Sequence, residues 1–334
     1  MAEARARAAD LVAALALYLL AASALAQAAP ALTLAKTIRL PGVDGRIDHL
    51  AIDVRRGRLF IAALGNDTVE VVDAAAAKRI ATLNSVRRPT GVAFVPEANR
   101  IWVASSGSGA LEVFDGASFE LLKTLEGFDD ADNLRFDARA NRIYLGYGDG
   151  ALAAIDAATT QRLGRIELAA HPEAFQLEAA GRRVFVNLPA AQRIVAVDRE
   201  APAHQQVWGL GALRANFPMA LDAADGRLFV GFRDPARLGV FHTATGRRMA
   251  ELAICGDTDD LFFDSKRKRL YVSCGEGAID VIEQRGPDRY EERERVPTRA
   301  AARTSLFSPE TDALYVALPK HGPYAAEIRV YAPH

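Results

Sequence analysis

The sequence predicts an all-β fold: a single closed seven-bladed β-propeller with four-stranded blades. Three observations predict it. A strand-like stretch recurs seven times at nearly constant spacing, no segment beyond the N-terminal run carries a helical period, and the last unit lacks a strand that is present, unpartnered, before the first. With 50% hydrophobic, 25% charged and 7% aromatic residues, the chain is neither a disordered tail, a collagen-like rod nor a disulfide-dense scaffold. Its 41 basic and 42 acidic residues leave a net charge of -1, which offers no field to a phosphate backbone, so no nucleic-acid partner is expected.

The chain begins with Arg5 and Arg7 set against Glu3 and Asp10, followed by a small or apolar run from Leu11 to Ala26. That run is short for a bilayer span and ends in Ala24-Leu25-Ala26, an A-x-A cleavage pattern. Residues 1–26 therefore read as a secretory signal peptide, with an uncleaved anchor as the alternative. The mature chain is expected to be periplasmic or secreted, monomeric and without a further membrane span.

The repeated stretch reads RLFIAAL from Arg58, RIWVASS from Arg100, RIYLGYG from Arg142, RVFVNLP from Arg183, RLFVGFR from Arg227, RLYVSCG from Arg269 and ALYVALP from Ala313. Successive copies are 42, 42, 41, 44, 42 and 44 residues apart, the period of a four-stranded blade. The propeller is expected over residues 33–334, with repeats starting near 47, 89, 131, 172, 216, 258 and 302.

Within a unit the innermost strand is short and apolar, as in HLAID from His49, GVAFV from Gly91, NLRFD from Asn133 and DLFFD from Asp260. A polar turn leads to the repeated second strand. The third strand ends in Asp73, Asp115, Asp156 or Asp198 in the first four units, where an aspartate can bond its own backbone in the next turn. The fourth strand is polar, as an outer edge must be: KRIATLN from Lys78 and QRLGRIE from Gln161 are examples, and the alternating charges from Asp288 to Arg295 keep another edge soluble. The seventh unit ends too soon after Ile328 to make an outer strand. Thr33–Leu40 has the outer-strand pattern and is expected to supply it, closing the ring.

The R-[LI]-[YFW]-V strand, Gly-containing hairpin and V-x-x-D strand resemble the YVTN-type, lactonase-like seven-bladed bacterial propellers, over all seven units. That resemblance implies the architecture; the motifs it rests on build blades and carry no activity.

No G-x-S-x-G, P-loop, H-E-x-x-H or C-x-x-C-H motif is present, so neither nucleotide nor haem is expected. Gly146, Gly148 and Gly150 lie between two strands of one blade and read as a hairpin turn. Residues entering the inner strands must ring one mouth of the central channel. They are Asp48 and His49, Thr90, Asp132 and Asn133, His171 and Glu173, Asn216, Asp259 and Asp260, and Arg303 and Thr304. Five carboxylates thus face one arginine, a cluster that calls for protonation or a cation; strand ends capped and solvated at a wide mouth are the alternative.

Glu173, Asn133, Asn216 and Asp259 are the candidate ligands of one divalent cation, calcium or magnesium before zinc. They resemble the ligand types of gluconolactonase-type propellers, which have six blades and a glutamate where this chain has Asp48 and His49. His49 or His171 would serve as general base and Arg303 would hold a carboxylate or phosphate, while Asp48, Asp132, Arg135, Gln176 and Asp260 would bind the ligand. Cys255 and Cys274 fall on the same face of one unit and read as a disulfide, or alternatively as a thiolate or metal pair. Arg87 and Arg88 sit in a solvated loop at the mouth, where they could attract an anion. Two functions are carried forward: a propeller binding a small molecule or a periplasmic protein at its mouth without chemistry, or a divalent-metal-assisted lactone hydrolase or lyase.

Overall fold

The computed structural model describes residues 29–334; the expected signal peptide, residues 1–26, lies outside the described residues. Seven antiparallel sheets of four strands form the ring. Blade 1 runs outward through Leu50–Asp53, Arg58–Ala63, Thr68–Asp73 and Lys78–Leu83. The inner strands of blades 2 to 7 are Pro89–Val95, Leu134–Asp137, Phe175–Leu177, Arg214–Asp222, Thr258–Asp264 and Thr304–Ser308. All seven repeated stretches are second strands that begin where the sequence places them. Among the described residues the one helical turn is the short Leu64–Asn66, and no helix is long and apolar enough to cross a membrane.

Ring closure follows the expectation. Leu32–Arg39 pairs antiparallel with Glu327–Pro333 as the outer strand of blade 7, with Ile38 opposite Ile328. The third-strand aspartates also behave as expected: Asp73, Asp115, Asp156 and Asp198 each accept backbone N–H groups of the following turn. In six units the residue before the second strand has a positive φ, supplied by Gly57, Asn99, Asn141, Gly226, Lys268 and Asp312. Blade 4 is the exception.

Strand alternation explains the repeated motif. In a blade, successive residues of the second strand face opposite neighbours. Leu59 and Ile61 pack in a core shared with blade 7, whereas Phe60 packs in the core shared with blade 2. The aromatic third residue points to the following blade in every unit: Phe60, Trp102, Tyr144, Phe185, Phe229, Tyr271 and Tyr315. Seven separate apolar cores result, one at each seam.

The arginine two residues earlier lies on the same side and acts at the rim of the seam. Arg58 donates to Gly116 O at 2.8 Å, Arg100 to Ala158 O at 2.6 Å and Arg183 to Thr243 O at 2.6 Å, each acceptor lying in the turn after the third strand of the next blade. Arg227 reaches Asp288 at 2.8 Å and Arg269 reaches the main-chain oxygen of His334. Blade 7 has Ala313 at this position; Lys36 of the closing strand replaces it, donating to Ala74 O and Ala75 O of blade 1. Only Arg142 makes no such bond among the described residues. Its seam is latched from the other side, by Arg199 of blade 4 reaching back to Asp137.

The inner strands crowd the axis. A side chain at Gly91 would place its Cβ 2.2 Å from Asp132 O of the neighbouring blade, so only glycine fits there.

Deleting residues 29–39 strips Ile38 and the Lys36 latch from the seventh seam, and the melting temperature is expected to fall by about 10 °C or more. Arg58→Ala is expected to cost about 1–2 kcal/mol in a denaturant melt, against roughly 0.5 kcal/mol or less for Arg142→Ala. Equal losses would contradict the latch.

Candidate functional site

The mouth residues are held level by pairing with the ends of the second strands: Asp48 N bonds Ala62 O, Asp132 N bonds Gly146 O and Glu173 N bonds Asn187 O. Their side chains enclose a vestibule of about 40 Å³, lined by Arg46, His49, Asp132, Arg135, Glu173 and Asp259, among others. Below it the channel opens into a cavity of about 360 Å³ walled by inner-strand residues such as Ile52, Phe94, Phe136, Phe262 and Leu306. His49, Arg135, Gln176, Asp260 and Phe262 line both spaces and form the partition between them.

His49 lies between Asp260 and Asp48, its ring nitrogens 3.6 Å and 3.8 Å from their oxygens. Burial opposes its charge, but Asp260, aided by Asp48 and Asp132, lifts the imidazole to about 10. Asp48, almost fully buried, is pushed up to about 7 by desolvation, against the pull of His49 and Arg46. Burial likewise opposes the charge of His171, yet the bonds to Asp132 and to Gly148 O raise it to about 9. Its Nδ1 donates to that carbonyl at 2.6 Å. A histidine charged at neutral pH cannot accept a proton, so in this arrangement neither ring is fitted to be the general base the sequence suggests.

Glu173 is different. Desolvation, reinforced by Asp132, pushes it up to about 7, and its half-buried carboxyl makes no hydrogen bond or ion pair among the described residues. It is the vestibule group that can exchange a proton near neutrality with its oxygens still available.

The expected excess of five carboxylates over one arginine is corrected by the structure. Arg46 from the entry loop, Arg135 from within an inner strand and Arg233 from the end of a second strand join Arg303. Asp259 receives Arg233 at 2.5 Å on one oxygen, and Arg303 at 3.1 Å and Arg46 at 3.4 Å on the other; burial still raises its pKa. Arg303 is further engaged through Nη1 by both oxygens of Asp257, at 2.9 Å and 2.7 Å. Arg233 lies over the Phe217 ring at 3.7 Å.

Of the four expected metal ligands, Glu173, Asn133 and Asp259 line the vestibule together, and Asn216 does not. Asn216 is fully buried and turned into the seam, its Nδ2 donating to Asn187 Oδ1 and Arg193 O at 3.0 Å each. Asn133 spends its oxygen on Arg135 at 3.2 Å, and Asp259 has guanidinium groups on both oxygens. Among the described residues no group of three or more His, Cys, Asp or Glu side chains is placed to hold a metal ion. Thr90 and Thr304 are ties between blades, donating to Ala131 O and Ile47 O. Cys255 and Cys274 are joined by a disulfide within blade 6, which excludes a thiolate or metal pair there.

Of the ligand-binding candidates, Arg135 donates to Leu134 O at 2.7 Å, with its guanidinium 5.6 Å from the Phe175 ring centroid. Burial lowers its pKa despite Asp260 and Asp132. Gln176 spends its NH₂ on Met219 O at 2.9 Å and retains a carbonyl oxygen at the partition. Arg46 stands two residues before Asp48 in the entry loop, and Arg233 near the end of the second strand of blade 5, beside its hairpin. Reading those hairpins beside the entry loops would have found Arg233.

Glu173, Asp48, His171 and His49, like Asp259, act on stability in one direction. Each binds its proton more tightly folded than unfolded, so its contribution is complete below the unfolded pKa and is lost as pH rises to the folded one. For Glu173 and Asp48 that window runs from their ordinary values of 4.5 and 3.8 up to about 7. For His171 and His49 it runs from 6.5 up to about 9 and 10. The melting temperature is expected to decline from about pH 5 to pH 9, and Glu173→Gln to flatten the part below about pH 7. A profile rising over that range would contradict the assignment.

No protein-family model and no curated protein matches the chain. Solved structures match in fold alone. The RRP9 WD40 repeats superpose with a TM-score of 0.76 at 11% identity, over 90% of this chain and 97% of that one. A chain of the Mitotic Checkpoint Complex gives 0.74 at 13% identity, over 90% and 92%. A chain of Kuenenia stuttgartiensis Hydrazine Synthase gives 0.69 at 15% identity, over 83% and 95%. The chain is a seven-bladed β-propeller of WD40-like fold.

Proposed function

We propose that the protein binds a small amphipathic molecule at the mouth of its channel, with a hydroxylated acidic head in the vestibule and an apolar tail in the cavity below. One observation carries this reading: a polar space and a larger space whose walls are mainly apolar side chains meet at a shared partition of His49, Arg135, Gln176, Asp260 and Phe262. The vestibule has room for a few atoms only, while the lower cavity lies within the usual range for small-molecule sites, about 300–1,000 Å³. Glu173 and the Gln176 oxygen would accept hydroxyl protons; Arg135 would donate to a carboxylate, with the charge of His49 adding attraction.

The proposal extends to export into an oxidising compartment. The N-terminal run has the signal-peptide pattern, and a disulfide within blade 6 is stable outside the reducing cytosol. The YVTN-type resemblance adds support for the architecture and is silent on the ligand.

Calorimetric titration with 3-hydroxydecanoate, decanoate and 3-hydroxybutyrate tests the reading. The first is expected to bind tightest, with about tenfold or greater loss on removing either the hydroxyl or the tail, and a similar loss in Glu173→Gln. Equal affinity for the tailless acid, or no binding of any, would sink it. Melting with and without EDTA is expected to coincide; a chelator-induced drop would bring back metal-assisted lactone chemistry.

A further inference from the structure

We propose that the seam between blades 3 and 4 holds a second site, for a small oxyanion, a molecule presenting a phosphate or carboxylate group. The site lies away from the vestibule, at the opposite end of the strands. A cleft of about 460 Å³ opens there, lined by Arg139, Arg142, Tyr144, Arg182 and Arg199 together with Asp137 and Glu200.

The repeat itself shows what Arg142 lacks. At the five other seams where an arginine starts the second strand, its guanidinium holds an oxygen of the following blade. Arg142 occupies the same register position, with Tyr144 beside it on the same side, and makes no hydrogen bond or ion pair among the described residues. The cause is local. In blades 2, 3 and 5 the turn after the third strand closes with a backbone bond between residues five apart, as from Asp156 N to Gln161 O; in blade 4 it runs from Asp198 N to His204 O, one residue longer. The longer turn carries Arg199 back over the Tyr144 ring and onto Asp137, which latches the seam and removes the carbonyl that Arg142 would have held.

Charge favours an anion in the opened space. Its two lining carboxylates are already matched, Asp137 by Arg199 and Glu200 by Arg182 at 3.2 Å. Arg139 donates to Ala180 O at 2.9 Å with one nitrogen, and Arg142 keeps its whole fork. The lining carries four guanidinium groups against two carboxylates on a chain whose net charge is -1. A planar fork with nothing to hold matches two oxygens of a phosphate or carboxylate.

Titrating the mature protein with inorganic phosphate and with citrate in a chloride buffer tests the site. At least one anion is expected to bind with a millimolar or tighter dissociation constant, and Arg142→Gln to weaken it about tenfold or more without lowering the ligand-free melting temperature. Arg142→Lys, which keeps the charge and loses the fork, should fall between the two, while Arg46→Gln at the vestibule should leave anion affinity unchanged. Full affinity in Arg142→Gln, loss in Arg46→Gln, or no uptake of either anion at about 10 mM would overturn the proposal.

Discussion

Everything in this molecule depends on sheets that have no solvent face. The second strands are apolar on both sides, so each blade needs a neighbour on its left and on its right, and only a closed ring supplies both. The stride of the sequence is the imprint of that requirement. In R-[LI]-[YFW]-V the second and fourth residues face the preceding blade, the aromatic fills the core with the following one, and the arginine ties the rim of the same seam. Seven modest cores replace one large one.

Closure also creates the vestibule. Seven inner strands converge on one axis, so residues remote in sequence meet there: His49 from blade 1, Asp132 from blade 3, Glu173 from blade 4 and Asp260 from blade 6. Guanidinium groups pair with Asp48 and Asp259, histidines face Asp132 and Asp260, and burial then sets the protonation of what is left. The consequence is a separation of roles. His49 and His171 are held cationic, Asp259 is fully engaged by arginines, and Glu173 alone combines a raised pKa with free oxygens.

Much of the fold was legible because blade contacts are periodic. Every second strand, the turn aspartates and the closing role of Leu32–Arg39 follow from spacing and alternation alone. The mouth was legible only in part. Positions such as Asp48, Asp132 and Glu173 follow from where inner strands begin, but side-chain direction does not. Asn216 enters its strand at a bulge and turns into the seam, and Arg233 stands beside a hairpin whose length is peculiar to blade 5. The count of one arginine failed for that reason: long side chains travel several ångströms from their place in the strand pattern. The unlatched seam was hidden equally well, because Arg142 looks like every other copy in sequence and differs only in what the neighbouring turn does.

The pairing of Leu32–Arg39 with Glu327–Pro333 bears on how the chain is made. A ribosome delivers the first partner long before the second, so the earliest strand stays bare while six blades assemble beyond it. The ring can lock only when its final strand emerges. Until then the growing molecule is an open arc with two sticky margins, and whatever shields those margins during synthesis governs the yield of native protein.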